Sequence, residues 1–276
     1  MVNIEISDIK NFAEKSKNSK EAIDLLISVL EKSENIETRL EVLKVLSELQ
    51  LHGANKFKVF ENFLVSDAHE GIRAFSVEII FQNFIEKGLD AVDWAILNDP
   101  SPKVLSKIKT LIRESKNPFK LDLQSTLFNR FKIIAQKYKL DVGEVPFLID
   151  IGIKITQQNF YIGNQDFYFI YEKDILCIVK KEHIREVGIF FLKEVPDSIG
   201  NLSKLEHLDL SYGYIKSLPN SLIQLRNLKS IDLTFNEIIR FPEVFKSIKS
   251  LEDVNLSNNP INFIPKWAHS IKNLKM

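Results

Sequence analysis

The chain has 276 residues, 45% apolar and 27% charged, and its 37 basic and 37 acidic side chains give a formal net charge of zero. This composition is typical of a soluble globular protein with one to three domains. Zero net charge argues against bulk attraction to nucleic acid or to anionic membranes. The single cysteine, Cys177, cannot form an internal disulfide, and no stretch reaches the roughly 18 apolar residues of a membrane span. We therefore expect a cytoplasmic protein with no membrane partner.

Helical periodicity runs through residues 19–138, where apolar stripes alternate with short polar connections. Short connections predict that neighbouring helices form antiparallel hairpins. Three of the predicted helices open alike, with Ser33, Asp67 or Asp99 a few positions before an apolar run. A polar side chain there satisfies free N–H groups of the first turn, so these three residues are predicted to cap the helices.

The three openings recur at steps of 34 and 32 residues (67−33 and 99−67). They resemble HEAT-type helical repeats, in which an Asp-x-x-x-x-(Val/Ile)-Arg opening starts the second helix of each pair. Arg39 and Arg73 fit this pattern, whereas Leu105 stands where a third arginine would be. The resemblance implies a HEAT/armadillo-like α-helical solenoid over residues 1–143, and the alternative is an irregular helical bundle.

In residues 144–183 the helical periodicity ends, and short runs of β-forming residues replace it. The runs are Phe160–Ile162, Phe167–Tyr171 and Ile175–Val179, and turn residues separate them. We predict a junction with a β-hairpin that covers the open first edge of the sheet that follows, because a bare strand edge invites aggregation.

Two series of residues in the last third of the chain recur with a step of 23. They are Leu205, Leu228, Leu251 and Leu274, and Pro196, Pro219, Pro242 and Pro265. After each leucine, apolar and polar residues alternate as in a strand and then take the wider spacing of a helical turn. Such units bury their leucines only by stacking, which places their strands side by side in a parallel sheet.

This pattern resembles the leucine-rich repeat of 23 residues whose units end in Leu-Pro-x-x-Ile-x-x-Leu. The resemblance implies a leucine-rich repeat solenoid of about four units with a short parallel β-sheet over residues 184–276. The predicted fold is therefore an α plus α/β repeat protein, with the helical solenoid first. The resemblance also assigns Asn236 and Asn259 to a ladder of side chains that hydrogen-bond backbone groups of each bend, and Gly213 interrupts this ladder.

No glycine-rich phosphate loop, paired-cysteine motif or His-Glu-x-x-His motif occurs, and the five histidines are scattered. The best acid pair is Asp209 with Asp232, whose backbones should lie about 4.8 Å apart in adjacent strands. Two carboxylates that close could share a proton or hold a metal. Leu-Asp-Leu, however, is the common strand sequence of leucine-rich repeats. The sequence thus predicts no enzyme, catalytic residue, metal, cofactor or small-molecule substrate.

Exposed strand positions form a predicted binding face for a protein partner. The residues assigned to it are His207, Asp209, Tyr212, Ser230, Asp232, Phe235, Asp253 and Asn255. Its two aromatic members stand where the family usually has asparagine, and aromatics on a rigid surface are common interface anchors. The alternative is that Tyr212 and Phe235 merely pack on each other. The acidic members indicate a partner with a basic segment.

The predicted function is that of a non-enzymatic adaptor or scaffold, with the helical repeats as a second docking surface. One alternative is a regulator of a small GTPase or of a kinase signalling component. Another is nucleic-acid binding through Lys15, Lys17, Lys20 and the basic run from Lys103 to Lys120, although interspersed acids there favour a solvated face. At the C-terminal end of the repeats, one interpretation is that Trp267 and Ile271 fold over the last unit, and the alternative is an apolar edge that offers a surface for oligomerisation.

Overall fold

The computed structural model describes residues 20–49, 51, 54–154, 160–164 and 167–276. The chain forms two compact units, residues 1–130 and 131–276. The division lies inside a long helix, before the boundary predicted at residue 143. The end of that helix belongs to the second unit because the Tyr168 hydroxyl donates to the backbone carbonyls of Tyr138 and Lys139.

Within its described residues the first unit consists of helices joined by short connections. The helices are α1 (Lys20–Lys32), α2 (Ile36–Ser47), α3 (Ala54–Ser66), α4 (Glu70–Asn83), α5 (Ile85–Asn98), α6 (Pro102–Glu114) and α7 (Lys120–Tyr138), which continues into the second unit. Consecutive helices pair, α1 with α2, α3 with α4 and α5 with α6, and α4 contacts both α2 and α6. The three helices α2, α4 and α6 carry fully buried side chains, among them Leu43, Ile72 and Val104.

The three similar helix openings share one local geometry. The side chains of Ser33, Asp67 and Asp99 each accept a hydrogen bond from the backbone N–H two residues later, at 3.2, 2.9 and 2.8 Å. The prediction that these residues are the helix caps is therefore wrong. The N-cap residues lie two positions further on and are Asn35, His69 and Ser101.

Arginine–aspartate pairs connect successive openings. Arg39 pairs with Asp67, and Arg73 reaches both carboxylate oxygens of Asp99, with Nε at 2.7 Å and Nη2 at 3.0 Å. The hydrogen bond to Asp99, whose side chain is buried, raises the pKa of Arg73. The series stops at the third opening because Leu105 occupies the arginine position. These pairs give the recurring sequence pattern a structural reason.

The second unit is built on one sheet of eight strands among the described residues, in the order β1 to β8. The strands are β1 (Phe160–Asn164), β2 (Phe167–Glu172), β3 (Ile175–Lys180), β4 (His183–Ile189), β5 (His207–Asp209), β6 (Ser230–Asp232), β7 (Asp253–Asn255) and β8 (Asn273–Lys275). Strands β1 to β4 pair antiparallel, and β4 to β8 pair parallel. The predicted hairpin is thus a three-stranded meander, and its last strand covers the edge of β4.

Each repeat follows its strand with a bend and a short 3-10 turn. The turns are Asp197–Asn201, Asn220–Gln224, Glu243–Ser247 and Lys266–Ser270, and a proline of the recurring series precedes each one. Leu205 and Leu228 are fully buried, and Leu208 and Ile231 of the strands are 2% exposed. The core of the repeats therefore lies between the sheet and the turns.

A buried carboxylate links the turn before α8 (Val145–Asp150) to β4. Glu144 is 1% exposed, its Oε2 accepts the Ile184 N–H at 2.9 Å, and its Oε1 lies 3.0 Å from His183 Nδ1. Burial raises the pKa of Glu144, because desolvation opposes the charged form more strongly than these hydrogen bonds favour it. The folded protein therefore holds the Glu144 proton more tightly than the unfolded chain does.

This raised pKa predicts the sign of one pH dependence. Folding takes up a proton at Glu144 between the ordinary pKa of 4.5 and the higher folded value. The stability that Glu144 contributes is present at low pH and is lost as the pH rises through the folded pKa. We expect wild type to become less stable relative to Glu144→Gln as the pH is raised from 4.5 toward neutrality.

Urea unfolding of both proteins at a series of pH values measures this difference in free energy. The same pair of proteins in a His183→Asn background shows the contribution of Glu144 without the neighbouring imidazole. A difference that stays flat, or that grows in favour of wild type as the pH rises, would contradict the assignment.

Candidate functional site

Strand register arranges side chains in two rows across the exposed face of the sheet. One row holds Ile178, Glu186, His207, Ser230, Asp253 and Asn273; the other holds Leu176, Gly188, Asp209, Asp232, Asn255 and Lys275. All twelve line a single open groove of about 470 Å³, which we call the sheet groove. Six of the eight residues predicted for the binding face lie in it.

Carboxylates dominate the charge of the sheet groove. Glu186, Asp209, Asp232 and Asp253 contribute four negative charges, and Lys275 is the one lysine or arginine in its described lining. Among the described residues none of the three aspartates forms an ion pair, and Glu186 has only a long contact with Lys180 at 3.4 Å. The groove therefore presents a negative surface that its own lining does not neutralise.

Hydrogen bonds hold the aspartates in place without cancelling their charge. Asp209 Oδ1 accepts the Ser211 N–H at 2.9 Å, and Asp232 Oδ1 accepts the Thr234 N–H at 2.8 Å. Asp232 Oδ2 also accepts a hydrogen bond from Asn255 Nδ2 at 3.1 Å. Asp209 and Asp232 are adjacent in the sheet as predicted, but each carboxylate accepts a hydrogen bond from a backbone N–H just beyond the end of its own strand.

The first row has hydrogen bonds of its own. His207 Nδ1 lies 2.7 Å from Ser230 Oγ, and Asn273 Nδ2 donates to Asp253 Oδ1 at 2.5 Å. In the described part of the chain no group of three or more His, Cys, Asp or Glu side chains is arranged to hold a metal ion. Burial raises the pKa of the Cys177 thiol to about 12, so this cysteine is not a thiolate at neutral pH.

Charged side chains at the beginnings of the strands are, by contrast, paired with one another. Glu206 Oε1 contacts Arg185 Nη1 at 3.1 Å, and its Oε2 contacts Lys229 Nζ at 2.6 Å. The hydrogen bond from Lys229 holds the pKa of Glu206 below its usual value. Lys272 pairs with Glu252 at 2.8 Å. Arg185 and Lys229 are engaged by Glu206, whereas Lys272, engaged by Glu252, also interacts with the Asp253 carboxylate and offsets part of the negative charge of the sheet groove.

Tyr212 and Phe235 lie beyond the strand ends and do not line the sheet groove. They belong to a column, with Phe191 and Asn258, whose φ angles are between 55° and 59°. This left-handed region suits asparagine and disfavours bulky side chains. The Tyr212 and Phe235 rings stack with centroids 4.9 Å apart, yet remain 55% and 46% exposed. They pack on each other and still offer an aromatic surface.

The two asparagines of the predicted ladder bind backbone groups of successive bends. Asn236 Oδ1 accepts the Ile215 N–H at 3.0 Å, and its Nδ2 donates to the carbonyls of Leu210 and Leu233 at 2.8 and 3.0 Å. Asn259 repeats this one unit later, with bonds of 3.1, 2.7 and 3.0 Å to Ile238 N–H and to the carbonyls of Leu233 and Leu256. Asn236 is buried, whereas Asn259 is partly exposed.

The interruption at Gly213 has a steric cause. A Cβ on Gly213 would lie 2.6 Å from Asn236 Oδ1 and 2.8 Å from the Leu192 carbonyl oxygen. Backbone bonds close this bend instead, because the Tyr214 N–H donates to the Leu192 carbonyl at 2.8 Å. No asparagine side chain fits at this position.

Sequence reasoning missed the two ends of the sheet groove. Leu176 and Phe190 form an apolar end and are 37% and 38% exposed, and Asn273 and Lys275 form the other end. The signal that could have found the apolar end is the alternation along β3, which turns Leu176 and Ile178 to the same face as Glu186.

The basic run of the helical unit is largely engaged with its own chain. Lys107 pairs with Glu78 at 2.9 Å, and Lys120 Nζ donates to the carbonyls of Arg113 and Ser115 at 2.8 and 3.1 Å. Lys15 and Lys17 lie outside the described residues. No helix in the described part is long and apolar enough to cross a membrane.

Known proteins share the repeat pattern of the second unit. The leucine rich repeat family model matches residues 191–238. A solved leucine-rich repeat protein of Leptospira interrogans is 31% identical over 33% of this chain, with a TM-score of 0.31, and the match spans 25% of that protein. No curated protein matches the chain. The family-model match confirms the predicted leucine-rich repeats over residues 191–238, and modules of this class typically mediate protein–protein interaction without catalysis.

The ladder predicts unequal losses of stability for two similar changes. Asn236→Ala removes three bonds and leaves buried backbone groups unsatisfied, so it should lower the free energy of unfolding by about 2 to 3 kcal/mol. Asn259→Ala should lower it by about half as much, since its site is partly open to water. Asn227→Ala, which removes an exposed side-chain bond to the Ser203 carbonyl, is the matched control.

Urea unfolding followed by circular dichroism compares the three variants. Equal losses for Asn236→Ala and Asn227→Ala would show that the ladder does not support the bends.

Proposed function

We propose that this chain is a non-enzymatic adaptor whose sheet groove binds an extended, basic segment of a protein partner. The observation that carries the proposal is the charge of the groove, in which four carboxylates face one lysine of the described lining, and the three aspartates form no ion pair with any residue that the structure describes. A basic segment supplies the missing countercharge.

The aspartates are also positioned before any partner arrives. Backbone N–H groups hold Asp209 and Asp232 in fixed orientations, so little side-chain entropy is lost when a cation binds. The carboxylates of one row lie on strands about 4.8 Å apart, within reach of the long basic side chains of an extended peptide laid across the strands. Complementary charge of this kind raises association rates and selects against acidic partners.

The proposal also includes the domain boundaries, a second docking surface and the location of the protein in the cell. The helical stretch, residues 1–143, is proposed as a HEAT-like repeat domain and a second docking surface, supported by its paired helices and its Arg–Asp pairs. Residues 144–183 are proposed as the junction and residues 184–276 as the repeat domain. A cytoplasmic location is supported by the single, reduced cysteine.

The exposed Tyr212 and Phe235 rings are proposed as a second contact for the partner at the strand ends. Their exposure and their place in a conformation unfavourable for aromatic residues support this role, since strained positions concentrate at functional sites.

A labelled peptide of ten alternating lysine and serine residues tests the groove by fluorescence anisotropy. Asp232→Asn with Asp253→Asn removes two charges but keeps oxygen acceptors, so the fold should be retained. We expect this double variant to bind the peptide at least about fivefold more weakly and with a shallower salt dependence.

Glu194→Gln with Glu243→Gln is the matched control, because it removes two exposed charges that do not line the groove. Equal weakening in both double variants would mean that the peptide senses only net charge, and the proposal would fail.

A further inference from the structure

The row that carries Asp209 and Asp232 has a gap at Gly188. Register places Gly188 between Leu176 of β3 and Asp209 of β5. A Cβ built on this glycine meets no heavy atom within 4 Å, and its φ lies outside the left-handed region. Neither crowding nor backbone conformation therefore requires a glycine here, in a strand where a side chain would favour pairing. The missing side chain leaves an open hollow in the floor of the sheet groove.

The walls of this hollow combine apolar and acidic side chains. Glu186 of β4 and Phe190, the residue directly after β4, lie two positions before and after Gly188, and both line the groove. Across the strands, Leu176 lies on one side and Asp209 on the other. Leu176 and Phe190 keep more than a third of their surface exposed, and Asp209 has no cation of its own among the described residues.

Long basic side chains match this combination of walls. An alkyl stem covers apolar surface such as Leu176 while its charged end reaches carboxylates. An uncharged side chain of the same length would desolvate Asp209 and Glu186 without pairing them. A guanidinium suits the hollow better than an ammonium does, because it is planar, stacks on a ring such as Phe190 and donates to two carboxylates at once.

We propose that the hollow over Gly188 is the subsite for one arginine side chain of the partner segment. This inference rests on the proposed function of the sheet groove and names its anchoring residue. Gly188 sets the specificity, since any larger residue at this position fills the space that the arginine occupies.

Nuclear magnetic resonance of the full ¹⁵N-labelled chain tests the subsite with a blocked pentapeptide, acetyl-Gly-Ser-Arg-Ser-Gly-amide. Its matched partner carries citrulline, the neutral analogue of arginine. We expect the arginine peptide to cause saturable shifts at the Val187, Ile189 and Asp209 backbone amides, and the citrulline peptide to cause shifts at least about fivefold smaller.

Gly188→Val fills the hollow and should keep or raise the melting temperature, because valine favours strands. We expect it to reduce the shifts with the arginine peptide at least about fivefold. Ser217→Val, an exposed and uncharged position that does not line the sheet groove, is the control and should leave them unchanged.

Two results would overturn the subsite: undiminished arginine binding to a folded Gly188→Val, or equal shifts with citrulline. If either occurs while the ten-residue basic peptide still binds in an aspartate-dependent way, the groove function stands and only the subsite fails. If neither peptide binds wild type, both proposals fail.

Discussion

The second unit depends on how each repeat satisfies the backbone groups of its bend. Stacked leucines exclude water from the bend, so N–H and C=O groups there need partners within the protein. Asn236 supplies three bonds at once to two neighbouring repeats, and Asn259 does the same one unit later. These bonds fix each repeat against the next. The strand register, and with it the two rows of the sheet groove, follows from this constraint.

The groove is a consequence of the same regularity. Because the strands of successive units pair in register, one strand position recurs from unit to unit, and a carboxylate at that position becomes part of a row of carboxylates. Asp209 and Asp232 arise in this way. The strand β3, which covers the edge of β4, adds apolar side chains to the exposed face of the sheet, because it places Leu176 and Ile178 there. The strand β3 thus covers the edge of β4 and supplies Leu176 to the apolar end of the groove.

Periodic spacing made much of this predictable. The 23-residue step located β5 to β7, their rows and both ladder asparagines, because a solenoid repeats its geometry with its sequence. It failed at β8, which follows β7 after 20 residues (273−253), so that Leu274 pairs with Val254 and does not take the position of Leu251. Local geometry was harder to predict. The polar residues Ser33, Asp67 and Asp99 were predicted as caps, but their side chains bond N–H groups two residues later, so the helices begin further on. A sequence does not distinguish a polar residue that is itself the N-cap from one that lies two positions earlier and accepts the N–H of the N-cap residue.

Long-range contacts that do not follow the repeat period were not predictable from the sequence. The interruption at Gly213 was visible, but its cause lies in the approach of the Leu192 carbonyl. The hollow at Gly188 requires the pairing of β3 with β4, which no local pattern specifies. The division of the chain inside α7 likewise follows from contacts made by the end of that helix, such as those of Tyr138.

Site-specific photo-crosslinking in cells tests the central claim most directly. A photoreactive phenylalanine analogue at Ser230 in the sheet groove, compared with one at Glu243 outside it, would trap whatever occupies each site. The account predicts that mass spectrometry finds peptides rich in arginine and lysine joined to position 230 and absent from position 243. Neutral or acidic peptides at position 230, or the same peptides at both positions, would contradict it.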